Sequence, residues 1–248
     1  MPAVLGPKSF DPAYLAFLDA RLPELAARTM PIWQRRWYGK RDTLHYCLRR
    51  TPIDPTGLLA EFGVFRGRSI RLIARRFPDR PVWGFDTFEG FPDDGRTDWK
   101  QDFSTGGRLP EVPANVTLVK GLFDDTLPEW VERHRGSHLA LMHVDCDIYS
   151  STRSILGHCR TLIRPGTLLV FDELLHYEGF LRNEMAAFWE FLQETGADFE
   201  WVATRGKVMP LGEFLAASDA SRRFMTSMKT WRAAGYHQAT ALRITRMP

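Results

Sequence analysis

Residues 58–67 read LLAEFGVFRG, an apolar run that ends in Glu61 and is followed by Gly63 and Gly67. Ser69 and the helical pattern IRLIARRF of residues 70–77 come next. The order predicts a buried strand, a tight glycine turn and a helix start, because glycine adopts turn conformations that bulkier residues resist. A turn of this type lets backbone approach a nucleotide-like ligand closely. It also occurs in α/β proteins that bind nothing there, so the residues downstream decide between a binding turn and a structural one.

They begin with RPVWGFDTF, residues 80–88, a second strand that ends at Asp86. A carboxylate in that place can accept both hydroxyls of a ribose. Its distance from Gly67 is close to the roughly twenty residues that a nucleotide-binding fingerprint calls for. The plainer alternative is that Asp86 caps the next turn. Residues 89–114 are rich in glycine, proline and charge, with Phe91, Trp99 and Phe103 as isolated aromatics. A loop of that length usually has a task. We read it as a mobile lid over the pocket, against the alternative of a variable surface excursion.

NVTLVKGLF, residues 115–123, is a third strand that leaves Gly121, Leu122 and Phe123 at its carboxyl end. Asp124, Asp125 and Thr126 precede a short helix, TLPEWVERH. The segment HLALMHVDCDIYSST, residues 138–152, carries the most information. Its apolar strand, Leu139 to Val144, runs straight into Asp145, Cys146 and Asp147, although a desolvated carboxylate is costly without a partner. Ser150, Ser151 and Thr152 are expected to cap the helix STRSILGHCRTLI. Asp147 can belong to the same cap and ranks below Asp145.

TLLVFDELLHYEG, residues 167–179, is a fifth strand ending in Asp172 and Glu173. Adjacent parallel strands would then set three or four carboxylates on one sheet edge, where they repel unless a cation or proton lies between them. A hard divalent cation, Mg²⁺ first, is the economical partner. Unrelated acidic loop residues are the alternative. His176 is near enough to act as a base or to touch substrate.

The flanks complete the outline. Residues 1–56 are expected to form an N-terminal helical cap or lid, with the α/β domain over residues 57–248. PAYLAFLDARLPELA, residues 12–26, has helical spacing at Tyr14, Leu15, Leu18, Leu22 and Leu25, interrupted by Pro23. Arg35, Arg36, Lys40 and Arg41 alternate with aromatics. We read this stretch as an amphipathic helix that covers the site or meets another subunit, ahead of a nucleic-acid patch. NEMAAFWEFLQETG is a helix with Met185, Phe188, Trp189 and Leu192 in the core. FEWVATRG and HQATALRIT are late strands, and residues 211–235 between them are mainly helix and loop.

The chain has 248 residues, 33 basic and 30 acidic, and a net charge of +3. That balance argues against nucleic acid and anionic membranes as partners. No window approaches the roughly 20 apolar residues of a membrane span. No secretory leader is apparent. Cys47, Cys146 and Cys159 lack metal-ligand spacing and cannot all pair, which points to a reducing, cytoplasmic home.

Five ordered motifs carry a resemblance: EFGVFRGRS at 61–69, FDTFEGFP at 85–92, GLFDDTLP at 121–128, HVDCDIYSST at 143–152 and PGTLLVFDE at 165–173. Over about residues 40–245 the chain resembles the class I S-adenosylmethionine-dependent methyltransferases, and more narrowly the macrocin and mycinamicin O-methyltransferases of antibiotic sugars. The resemblance implies an α/β Rossmann-like fold with a seven-stranded, mostly parallel sheet between helices. It implies S-adenosylmethionine as cofactor, with Glu61, Gly63, Phe65, Gly67 and Ser69 around its methionine end and Asp86 with Thr87 at the ribose. Gly121, Leu122, Phe123 and Asp124 would surround the adenine, and Asp145 would border the same site. Asp145, Asp172 and Glu173 would hold Mg²⁺. Family members usually have Asp or Asn at the last position, so the longer Glu173 allows a displaced or weaker site.

The expected reaction is methylation of a hydroxyl on a small polyhydroxylated natural product or sugar. The cation would bind two vicinal oxygens of the acceptor, and Asp145 or His176 would take the proton. The sequence leaves open a metal-independent N- or C-methyltransferase and a noncatalytic cofactor-binding protein. The aromatic N-terminal helices make a homodimer plausible.

Overall fold

The computed structural model describes residues 10–30, 42–92, 103–177, 179–216 and 235–248. The basic aromatic stretch from Ile32 to Arg41, Trp99 in the long loop, and residues 217–234 lie outside them.

Seven strands form one sheet: β1 (Leu58–Phe62), β2 (Val82–Asp86), β3 (Val116–Lys120), β4 (Leu139–Val144), β5 (Leu168–Phe171), β6 (Asp198–Gly206) and β7 (Tyr236–Arg246). Their order is β3-β2-β1-β4-β5-β7-β6. The first five run parallel, and β7 is antiparallel to both β5 and β6. The seven-stranded, mostly parallel sheet is the one expected. All positions of β4 and β5 are buried, as strands covered on both faces require.

Strand order reverses between β1 and β4, which places a crevice at the carboxyl ends of these neighbours. Register then dictates what lines it. Phe62 pairs with Val144, and Val144 with Phe171. Asp145 and Asp172, each one residue further, therefore leave the sheet at the same level.

The period-two alternation of the strands divides the core into two layers. Ala60 and Phe62 belong to the layer containing Trp130, Ile155 and Phe188, whereas Leu59 joins the one containing Leu44, Ile70 and Ile73. The first layer is covered by α1 (Pro12–Ala26), α4 (Phe123–Arg133), α5 (Tyr149–His158) and α6 (Glu184–Thr195), and the second by α2 (Asp42–Arg50) and α3 (Arg68–Arg76). A short α7 (Leu211–Ala216) follows β6.

Two local expectations need correction. α1 runs unbroken through Pro23. Proline removes one helical N–H donor, but the helix is held by Asp11 accepting from the Ala13 N–H at its start and by burial of Tyr14, Leu18, Leu22 and Leu25. Tyr14 lies 5.0 Å from Trp189 by ring centroids, and the Trp201 indole donates to the Arg21 carbonyl. The second correction concerns α5. It begins at Tyr149 behind an Ile148 N-cap with no side-chain bond, so Ser150, Ser151 and Thr152 lie inside its first turns.

Candidate active site

The glycine turn folds for reasons that are first structural. Gly63 has φ 91°, and a Cβ built there would fall 1.9 Å from the Asp145 carbonyl oxygen. Asp145 in turn donates its N–H to the Phe62 carbonyl at 2.8 Å. Gly63 is thus the price of bringing the β1 and β4 ends into backbone contact. Gly67, φ 72°, supplies the left-handed N-cap of α3, a conformation glycine reaches without penalty.

Asp86 stands at the end of β2 and closes this turn. One carboxylate oxygen accepts from the N–H groups of Val64 and Phe65 at 2.8 and 2.6 Å, and the other from Phe88 at 2.7 Å. A carboxylate offers about four lone-pair sites, so three protein bonds leave about one, on the oxygen that meets Phe88, for a single ribose hydroxyl rather than for both. Thr87 donates to the Gly90 carbonyl. Phe65, φ 49°, packs edge-on against Phe103 at 5.4 Å.

Glu61 and Ser69 lie beneath the turn rather than in the open crevice. The Ser69 hydroxyl donates to one Glu61 oxygen at 2.9 Å, and His143 Nδ1 meets the other at 3.0 Å. All three side chains are buried. Glu61 and His143 are register partners in β1 and β4, a pairing no single-strand pattern reveals.

At the end of β3, Gly121 has φ 146° and Leu122 is 46% exposed. Leu122 and Leu109 are the exposed large hydrophobics among the described residues. An apolar side chain left in water at a strand end suits a flat aromatic ligand such as adenine. Phe123 turns inward, edge-on to Phe62 at 6.0 Å. Asp124 is drawn across to α5, where it accepts from Ser154 and pairs with His158 at 2.9 Å. Those bonds hold its carboxyl below the ordinary range.

The acidic edge forms as anticipated. Carboxylate oxygens of Asp145, Asp172 and Glu173 all lie within 4.8 Å of one another. Glu173 is 7% exposed, and its Oε2 is buried with no hydrogen-bond donor among the described residues. Burial, followed by the charges of Asp147, Asp172, Asp145 and Glu184, pushes its carboxyl well above the ordinary range. An orphaned buried oxygen beside two more carboxylates is the donor set of a hard divalent cation. The residues present therefore fit Mg²⁺.

Two neighbours were undervalued by sequence. Asp147 is buried with φ 67° and adds to the field on Glu173. Glu184, first residue of α6, is fully buried and accepts from the Cys146 thiol at 3.7 Å. In sequence it looks like the polar side of an amphipathic helix. Burial and the Glu184 charge push the Cys146 thiol up, and Cys47, Cys146 and Cys159 are all free and buried.

His176 does not present itself as a base. It is 2% exposed, with Nδ1 2.8 Å from the His237 carbonyl and Nε2 accepting from the Met209 N–H at 3.1 Å. Nδ1 therefore carries the proton, and the Nε2 lone pair is occupied. Burial lowers its pKa to about 4, so the ring is neutral at pH 7.

A methyltransferase-domain family matches residues 60–174. The 8-demethyl-8-(2,3-dimethoxy-α-L-rhamnosyl)-tetracenomycin-C 4'-O-methyltransferase of Streptomyces olivaceus is 30% identical over 178 residues, covering 61% of this chain and 67% of its own. Mycinamicin III 3''-O-methyltransferase of Micromonospora griseorubida is 28% identical over 155 residues, covering 53% of this chain and 61% of its own. Among solved structures, the calicheamicin methyltransferase CalS11 superposes with a TM-score of 0.50 at 23% identity, over 76% of this chain and 89% of that one. The O-methyltransferase NovP does so with a TM-score of 0.50 at 20% identity, over 86% and 80%; these two likenesses bear on the fold. The chain belongs to the S-adenosylmethionine-dependent methyltransferase family.

No helix among the described residues is long and apolar enough to cross a membrane.

Proposed function

We propose that this enzyme methylates a hydroxyl of a sugar-bearing small molecule, assisted by a divalent cation held by Asp145, Asp172 and Glu173. The observation that carries the reading is the orphaned, buried Glu173 oxygen within 4.8 Å of the other two carboxylates. The two curated relatives support the acceptor class, since their names describe O-methylation of a rhamnosyl tetracenomycin and of mycinamicin III.

S-adenosylmethionine supplies an electrophilic methyl group on a sulfonium centre, and a bound divalent cation would act as a Lewis acid on the acceptor oxygen. What remains for the protein is alignment, proton removal and exclusion of water. The Gly63 turn would seat the methionine end, Asp86 the ribose and Leu122 the adenine face. Glu61 would act on the turn from beneath, through Ser69. Asp145 is the proposed base, because its backbone is fixed from both sides by Phe62 and Gly63 and the Nε2 lone pair of His176 is engaged. The two described helices of residues 1–56 would cover opposite faces of the sheet, α1 against β6 and α6 and α2 beside Ile70 and Ile73, rather than form one cap.

A second reading follows from the raised carboxyl of Glu173. Protonated, it offers one O–H donor beside two acidic acceptors, which suits a polar substrate of a metal-independent methyltransferase. Chelation separates the two. Methyl transfer to a rhamnoside that stops with EDTA, returns with Mg²⁺ and is lost in Asp172→Ala supports the cation; transfer indifferent to EDTA supports the second reading.

A further inference from the structure

We propose that His176 is a positioning residue whose imidazole clamps Met209, which follows β6, and His237 of β7 to the loop carrying Glu173, and so sets how the acceptor is presented. This rests on the reading of the acidic edge as the acceptor site.

The clamp is seen in its two bonds. Met209, three residues after β6, gives its N–H to Nε2, and His237, the second residue of β7, receives Nδ1–H at its carbonyl. Only one neutral tautomer satisfies both. The opposite tautomer would set Nε2–H against the Met209 N–H and Nδ1 against the His237 oxygen, and the cation would place two donors face to face at Nε2. A ring held in that way cannot exchange protons with substrate, yet it ties three chain segments at one point.

The loop itself supports the assignment. The N–H groups of Leu174 and Leu175 both reach the Gln238 carbonyl, at 3.1 and 3.2 Å. His176 adopts φ 57°, a conformation a non-glycine residue keeps only where its surroundings over-determine it. Its ring lies 5.3 Å from Tyr236, and Phe214 of α7 packs edge-on to Phe180 at 4.7 Å. Glu173 is thus attached through the next three residues to both ends of the β6–β7 connection. Loss of the clamp would displace the acceptor and the third carboxylate while leaving the cofactor side, built on β1 to β3, intact.

The test uses the full chain with S-adenosylhomocysteine bound. Nitrogen-15 spectra of the His176 ring should show protonated Nδ1 and unprotonated Nε2 throughout pH 6 to 8. His176→Phe should raise KM for methyl α-L-rhamnopyranoside tenfold or more and weaken Mg²⁺ binding at least fivefold, with S-adenosylhomocysteine affinity within twofold. His176→Gln, whose amide can donate and accept, should recover most of both. A ring titrating near neutrality, with a limb of the kcat/KM profile lost in both variants, would make His176 the base and overturn the proposal. Unchanged KM and Mg²⁺ affinity in a folded His176→Phe protein would do so too. If that variant does not fold, the ring spectra and His176→Gln decide. If the wild type fails to methylate the rhamnoside, the acceptor reading fails, and the ring spectra with Mg²⁺ affinity still judge the clamp.

Discussion

Gly63 and Asp145 touch through their backbones: a methyl group on Gly63 would sit 1.9 Å from the Asp145 carbonyl oxygen. The proposed cofactor turn and the proposed cation site are therefore parts of one backbone junction. Gly63→Ala has both a forbidden contact and a strained φ of 91° to accommodate. We predict a loss of about 3 kcal/mol or more in stability, together with loss of both S-adenosylhomocysteine and Mg²⁺ binding. Denaturant unfolding and calorimetric titration check this. Wild-type affinity for either ligand would contradict the junction.

Leu122→Ala should behave in the opposite way. Nearly half of this residue is in water, so its truncation should leave Tm within about 2 °C, as surface substitutions usually do. If adenine rests on it, S-adenosylhomocysteine affinity should fall roughly fivefold to tenfold, the worth of about 1 to 1.5 kcal/mol of lost apolar contact. Unchanged affinity would move the adenine elsewhere.

Glu173→Gln tests the strain in the acidic edge. Because the folded carboxyl is raised, the native state holds a proton that the unfolded chain releases. Its contribution to stability is present below the ordinary glutamate pKa and is lost as pH rises through the folded value. In EDTA, the metal-free wild type should therefore lose more stability than Glu173→Gln as pH rises from about 5 toward 8. Mg²⁺ should cancel that loss in the wild type alone. Parallel pH curves for the two proteins would show that Glu173 is not held protonated.

His176 gives the reverse slope. Its folded pKa of about 4 lies below the ordinary histidine value of 6.5, so its contribution is present above 6.5 and is lost as pH falls through 4. A shift of that size corresponds to a loss on the order of 3 kcal/mol over this window. Thermal melts of wild type and His176→Gln between pH 7 and 4 should diverge, the wild type falling faster. Equal slopes would mean that the ring titrates alike in both states.

The strands of the parallel half were legible because each is short, apolar and closed by an acid or a glycine. Leu139 to Val144 matches the observed β4 residue for residue, and Asp145, Asp172 and Glu173 converge as their strand ends imply. What the sequence concealed lies across strands and between layers. His143 reads as one polar residue in an apolar run until the β1–β4 register sets it against Glu61. Glu184 reads as surface until α6 buries its first residue beside Cys146. His176 looks like a base because its pKa range suits one, whereas its partners, Met209 after β6 and His237 in β7, are more than thirty residues away. Pro23 marks a limit of local propensity: four buried side chains on one face of α1 keep that helix continuous.

The most direct measurement is calorimetric titration of EDTA-treated protein with S-adenosylhomocysteine and then with Mg²⁺, for wild type and Asp172→Ala. The account predicts tight cofactor binding in both proteins and a separate Mg²⁺ isotherm in the wild type alone. A rhamnoside present during the second titration should strengthen that isotherm. Mg²⁺ binding retained in Asp172→Ala, or no Mg²⁺ binding by the wild type with cofactor and rhamnoside both present, would contradict the metal-assisted mechanism.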